Sequence, residues 1–411
     1  QPSIIDAIRL MALEEIVVLQ RPGKLRLVGA NLRLHETAQD LCQRLEIEYQ
    51  WERQPDKGRH TTSMADVYRA LPQSTQALAS LARHVWDRWP LRRAERSGWF
   101  GDDRSLFFCS YFDNVDLKAA EQGCFHSYYW ASLPALLNRI GFRSNWLQLF
   151  VPCASVPTTH AAISRIQHFN RTGQHHDFFT FLDAYLSWRI VLRVLKRWFG
   201  LILTTWRLRE IKHAFRPHGS QLSLWPLMRG DWKASMYGPA AIGNLLWIEL
   251  FDFALQDLPH QTKGFYLCEN QAWERALIHA WRKYGHGRLT AVVHATVRFW
   301  DVRYFADPHT LRSTEPYSMP QPDLAALNGK AAVDAYLNAG YPTDGIVECE
   351  ALRYGYLSEL AVHGQAERGH GRKILVLGDV AASATNRLLK LLEASLPHNQ
   401  SAMTYVIKPH P

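Results

Sequence analysis

At 411 residues the chain is long enough for two or three domains with full cores, and 47% hydrophobic against 21% charged residues excludes wholesale disorder. The formal net charge of +9 implies an anionic partner, but no long Lys/Arg run selects among nucleotide phosphate, lipid and nucleic acid. No run of about eighteen uncharged apolar residues is present to span a bilayer.

Strand-like runs alternate with helix-like ones along the chain, which predicts α/β layering around a mainly parallel sheet. Residues 24–28 read as a strand, 35–45 as a helix and 46–51 as a strand. Residues 61–95 read as helical, 106–111 as a strand, 133–140 as a short helix and 146–151 as a strand. The stretch from about 155 to 260 reads as a helical insertion. Within it, residues 178–203 read as one helix on which Arg189, Arg193 and Arg197 recur every four positions with Lys196 beside them. That spacing puts the charges on one face, for an anionic membrane or for a long surface helix packed on the core. Regular alternation then returns, with a strand at 264–268, a helix at 272–283 and a strand at 289–293. A long loop with Pro308, Pro316, Pro320 and Pro322 follows, as in functional lids. A helix at 330–338, a strand at 346–349 and a helix at 351–362 complete a first domain over residues 1–363. The Gly-containing stretch 364–372 reads as a linker. Residues 373–411 hold one βαβ unit, expected to be the start of a second domain cut short by the end of the chain. The six cysteines (Cys42, Cys109, Cys124, Cys153, Cys268, Cys349) form no CxxC pair and read as reduced thiols of a cytoplasmic protein.

In open α/β sheets ligands bind beyond the carboxyl ends of the strands. The expected strand ends deliver Glu269, His294 and Glu350, with Arg353 one helical turn beyond Glu350, and in the second domain Lys408 and His410. A carboxylate or imidazole there can take a proton from a hydroxyl, and cations can neutralise a departing phosphate. Glu269 and His294 suit the first task; Lys408, His410 and Arg353 suit the second. Asp231 is a further candidate base. The turn from Gly378 to Ser383 can cradle phosphate at a helix amino terminus, although it lacks the glycine spacing of the established phosphate loops. Glu274, in the first turn of its helix, reads as structural. No metal-ligand spacing is found among the histidines.

Several blocks carry a family resemblance. GFYLCENQAWERAL from Gly264 to Leu277, VHATVRFWD from Val293 to Asp301 and ECEALRY from Glu348 to Tyr354 resemble blocks of bacterial surface-carbohydrate biosynthesis proteins of the GT-B glycosyltransferase type. Residues 125–130 and the pair Asn145-Trp146 fit the same family, so the resemblance covers roughly residues 100–411. The terminal KPHP from Lys408 is similar to the HP element of capsule, Kdo and sialic acid transferases. There the resemblance implies that His410 contacts the donor phosphate of a CMP-activated sugar. The acidic pair before Gly that supplies the base in such sialyltransferases has only Thr343-Asp344-Gly345 as its nearest match, which leaves Glu269 as the expected base.

The resemblance therefore implies two Rossmann-like domains facing a cleft. It also implies a cytoplasmic, metal-independent transferase with no cofactor beyond its nucleotide-sugar substrate. The partners expected are that donor, a glycan or lipid-linked glycan acceptor for lipopolysaccharide or capsule, and peripheral contact with anionic membrane, but not nucleic acid. Two other readings stand beside it. One is polyol-phosphate transfer of the teichoic-acid type; the other is a non-catalytic module that binds membrane or nucleic acid.

Overall fold

The most apolar runs of the chain pair into one parallel sheet. A computed structural model describes residues 2–54, 64–172, 176–295, 297, 302–304, 307–311, 318–355, 357, 372–379, 381–395 and 403–408. Two compact units result, residues 1–354 and 355–411. The first opens with helix α1 (Pro2–Gln20), strand β1 (Lys24–Gly29), α2 (Leu32–Arg44) and β2 (Glu48–Arg53). Helices α3 (Met64–Ala70) and α4 (Gln73–Arg88) follow, and a 3-10 turn (Trp89–Arg93) leads to β3 (Ser105–Phe112). Next come α5 (Leu117–Glu121), α6 (Leu133–Arg139), β4 (Arg143–Phe150), α7 (Thr159–Thr172) and β5 (Asp177–Phe181). Three longer helices, α8 (Trp188–Arg207), α9 (Trp225–Met236) and α10 (Pro239–Asp257), precede β6 (Lys263–Cys268) and α11 (Ala272–Lys283). The unit closes with β7 (Arg288–Val293), α12 (Pro308–Leu311), β8 (Leu324–Asn328), α13 (Lys330–Asn338) and β9 (Ile346–Cys349).

Seven of these strands form the central sheet in the order β5-β4-β3-β6-β7-β8-β9, all parallel. Helices cover it, so this is a Rossmann-like α/β fold. With both faces covered, β3 and β4 are buried along nearly their whole length instead of at alternate residues. Phe108 of β3 stacks on Trp146 of β4 at 4.3 Å between ring centroids and meets Trp130 edge-on at 5.2 Å. Truncating aromatics buried to this degree costs on the order of 3–5 kcal/mol each. The chain builds outward from β3 through β4 to β5, then β6 returns to the other side of β3. The strand order therefore reverses between β3 and β6, and a crevice opens at such a reversal.

Three expectations from the sequence need correction. Residues 178–203 are not one helix: β5 takes Phe178–Phe181 as an edge strand on β4, and a 3-10 turn separates it from α8. A consecutive apolar run fits a buried strand as well as a helix, and the Ser187 side chain, accepting from the Ile190 N–H, fixes where α8 begins. The stretch 155–260 is consequently not purely helical. The proline-rich loop contains β8, so the strands that end at His294 and Glu350 are not neighbours. The Leu-Ala-Ala-Leu of β8 has no β-branched residue to announce a strand. Finally, β1 and β2 make a separate two-stranded parallel sheet and do not join the main one.

The arginines of α8 are also placed differently. Arg193 and Arg197 turn inward to Glu249 of α10, a fully buried carboxylate, at 2.8 and 2.9 Å, as ion pairs without well-aligned hydrogen bonds. Among the described residues no helix is long and apolar enough to cross a membrane.

In the second unit, β10 (Arg372–Leu377) and β11 (Met403–Lys408) pair in parallel, joined through α14 (Ala382–Ser395). Half of the expected helix 351–362, and all of the linker but Arg372, lies outside the described residues; the described part holds a 3-10 turn at Leu352–Tyr354.

Candidate functional site

Three strand ends meet at the order reversal. Asp113 follows the last residue of β3, Glu269 that of β6 and His294 that of β7. The β6–β7 register pairs Cys268 with Val293, so Glu269 and His294 stand side by side. His294 Nε2 lies 3.2 Å from Glu269 Oε1, within hydrogen-bond distance. His294 is 7% exposed, and its Nδ1 is buried with no partner among the described residues. At the end of β8, Asn328 likewise keeps a buried Oδ1 without a partner among them.

The link after β3 adds a fourth group. Asn114 takes a left-handed backbone conformation, φ +48°, and an antiparallel bridge between Val115 and Ser127 folds the chain back. That fold carries Tyr129 over the crevice. Its ring meets the His294 imidazole edge-on at 4.7 Å. The Tyr129 hydroxyl donates to Asp113 Oδ2 at 3.3 Å and accepts from Asn114 Nδ2 at 2.7 Å. Asp113 Oδ1 is buried and has no partner among the described residues. Two carboxylates, an imidazole and a phenol thus cluster at one set of strand ends.

Their environments drive the two carboxylates apart. Burial pushes the Asp113 carboxyl up, and the nearby Glu269 charge pushes the same way, against the Tyr129 hydrogen bond and the His294 charge. Glu269 is held down: the His294 hydrogen bond outweighs burial, and the charges of His294, Arg303 and Arg353 add to it. A pair split in this way is the arrangement acid–base chemistry uses, one group ionised throughout and the other able to exchange a proton nearer neutrality. Among the described residues no three His, Cys, Asp or Glu side chains are grouped to hold a metal ion.

Glu274 holds the turn that aims Glu269. It is 2% exposed, and its Oε1 accepts from the backbone N–H groups of Glu269 and Gln271, both at 2.8 Å. Asn270 between them has φ +54°. Burial, opposed by those hydrogen bonds, pushes the Glu274 carboxyl up to about 7. The folded state therefore favours its protonated form. The stability this gives is full below the unfolded value of about 4.3 and is lost as pH rises through about 7. Glu274→Gln keeps an acceptor and removes the titration. We expect urea unfolding to show the variant gaining on the wild type by up to ~3 kcal/mol between about pH 5 and pH 8. A gap that stays constant with pH would contradict this.

The structure brings together Glu269, His294 and Arg353 of the residues expected from sequence. Arg353 lies with its guanidinium carbon 5.8 Å from the Tyr129 ring centre, at the exposed rim. Glu350 is exposed at the end of the edge strand β9, two strands from His294. Asp231 is exposed on α9, which packs against α1, α2, α8 and α10. In the second unit the Gly378 N–H donates to the Lys408 carbonyl at 2.8 Å, so the turn leading to Ser383 and the end of β11 share one edge. Ser383 and Lys408 are both exposed there; His410 lies outside the described residues. Sequence reasoning passed over Asp113 and Tyr129. The strand-end rule that found Glu269 gives Phe112 when applied to residues 106–111, one residue short of Asp113, because the strand runs on to Phe112. Tyr129 had no comparable signal. Set against models of protein families, curated proteins and solved structures, the chain has no match.

Proposed function

We propose that the chain is a GT-B-type glycosyltransferase of bacterial surface-polysaccharide synthesis. It would move a sugar, of the Kdo or sialic acid class from a CMP donor, to a glycan or lipid-linked glycan on the cytoplasmic side of the membrane. The observation that carries this reading is the side-chain cluster at the strand-order reversal. There Asp113 and Glu269, with opposed proton affinities, flank a buried imidazole. The resemblance of the blocks around Glu269, His294 and Arg353 to surface-carbohydrate transferases supplies the substrate class.

In this reading the acceptor hydroxyl gives its proton to Asp113 as its oxygen bonds to the anomeric carbon. The bond from that carbon to the donor phosphate oxygen breaks, and the phosphate leaves with the electron pair. Glu269 stays ionised and orients His294; Tyr129 orients Asp113 through its hydroxyl. Arg353, beside the Tyr129 ring, supplies positive charge to the departing phosphate. A phosphate leaving group held by side-chain cations needs no metal ion.

A thermal-shift panel with CMP, UDP, GDP and ADP tests the donor class. The expected result is selective stabilisation by CMP. A shift with UDP or GDP instead would move the donor to a hexose, and no shift with any nucleotide in a folded protein would contradict the reading.

A further inference from the structure

We propose that the face built by α8 and α4 docks on an anionic phospholipid bilayer. Trp188, Leu192, Leu195, Phe199, Leu203 and Trp206 follow one another at steps of three or four residues, so they form a single stripe along α8. This stripe is not the one buried in the core, which comprises Ile190, Val191, Val194 and Trp198. Five of its members are between 43% and 68% exposed; Leu195 is half-buried. Alongside it α4 contributes Leu78 and Trp86, the latter 83% exposed. Between the two helices runs an apolar groove of about 820 Å³, walled by residues including Leu81, Val85, Trp89 and Val191. An exposed apolar surface of this extent marks an interaction site.

Charge names the occupant. Helix α8 carries five Arg and Lys and no Asp or Glu. Arg193 and Arg197 are spent on Glu249, but Lys196 and Arg207 fall about three helical turns apart along one flank of the stripe, on the same side as Arg189, which packs over the Phe253 ring at 5.5 Å. Beyond the groove, Arg92 stacks over Trp89 at 4.1 Å, with Arg93 next to it. The acid of α4, Asp87, is paired with Arg83. Tryptophans at both ends of an apolar stripe, bordered by cations, suit the boundary between acyl chains and anionic headgroups, where a helix lies in the plane of the surface. The charge spacing left a membrane face and a surface helix packed on the core both open; the structure turns Arg193 and Arg197 inward to Glu249 and the apolar stripe outward.

The face also begins near the carboxyl edge of the sheet. His84 and Arg88 of α4 bond to Asp183, two residues past the end of β5, and α8 starts five residues later. The docking inference stands without the transferase reading, because vesicle binding requires no turnover.

Cosedimentation of the full chain with vesicles tests it. Binding is expected with mixed phosphatidylglycerol and phosphatidylcholine, to weaken with salt, and to be much lower with phosphatidylcholine alone. Leu192→Asp/Phe199→Asp changes two exposed side chains, so a native circular dichroism spectrum is expected together with at least a tenfold (order-of-magnitude) loss of binding. Lys196→Glu is expected to lower partitioning by about fivefold or more. Equal binding to both vesicle types, or undiminished binding by the double variant, would overturn the inference. A wild type that ignores vesicles and is a dimer by light scattering, with the double variant a monomer, would assign the face to a second copy of the chain instead.

Discussion

Asp113→Asn is expected to cut sugar transfer by about 10²–10⁴-fold while leaving the fold and nucleotide binding in place. Asparagine fills the same space and can still accept from the Tyr129 hydroxyl, but it cannot take a proton from the acceptor. Because burial and the Glu269 charge push the Asp113 carboxyl up, the acid limb of the wild-type pH profile should lie above the usual carboxylate range. The base is active when ionised, so the rate climbs as pH rises through that limb. Glu269→Gln gives a readout that a purely structural role would not: it removes the charge that raises Asp113, so the limb should move to lower pH. Transfer by the Asp113→Asn variant within a few-fold of wild type would take the base role from Asp113.

Asp183→Ala is expected to lower stability by about 3–5 kcal/mol, because it leaves the partner of a buried ion pair without compensation. Asp183 is 1% exposed. Its oxygens receive the His84 ring nitrogen at 3.0 Å and the Arg88 guanidinium at 3.1 Å, and Arg88 also donates to the Phe150 carbonyl at 2.7 Å. The cluster thus ties α4 to the carboxyl ends of β4 and β5. Burial works against ionisation of Asp183, but the His84 hydrogen bond and charge, with the Arg88 charge, outweigh it and hold the carboxyl below its ordinary value. The resulting stability is present above the unfolded value of about 3.9 and is lost as pH falls through the lower folded value. Urea unfolding near neutral pH measures it. A loss under about 1 kcal/mol would show that α4 is held by apolar packing alone.

Much of this architecture was legible because period and burial leave marks in sequence. The strands ending at Glu269 and His294 are bounded apolar runs, the first is followed by a strong helix start, and Glu274 sits where a first-turn carboxylate belongs. Two strands escaped for opposite reasons. The Phe-rich β5 was absorbed into a longer apolar run, and the Ala-rich β8 lacked strand formers. Strand order is set by pairing between distant segments, so nothing local told that β6 returns beside β3. That return makes Asp113 and Glu269 neighbours at the reversal. It is also why Tyr129, which reaches the crevice through a bridge at Val115 and Ser127, could not be found by spacing. The basic helix was read correctly as amphipathic, but which face points outward depended on Glu249, more than forty residues away on α10.

The most direct test is nucleotide release from activated sugars by the purified chain, with and without a surface-glycan acceptor. The account predicts release that depends on the acceptor, favours a CMP-activated sugar and fails with Asp113→Asn. A folded protein that releases no nucleotide from CMP-, UDP- or GDP-sugars in the presence of acceptor would contradict it.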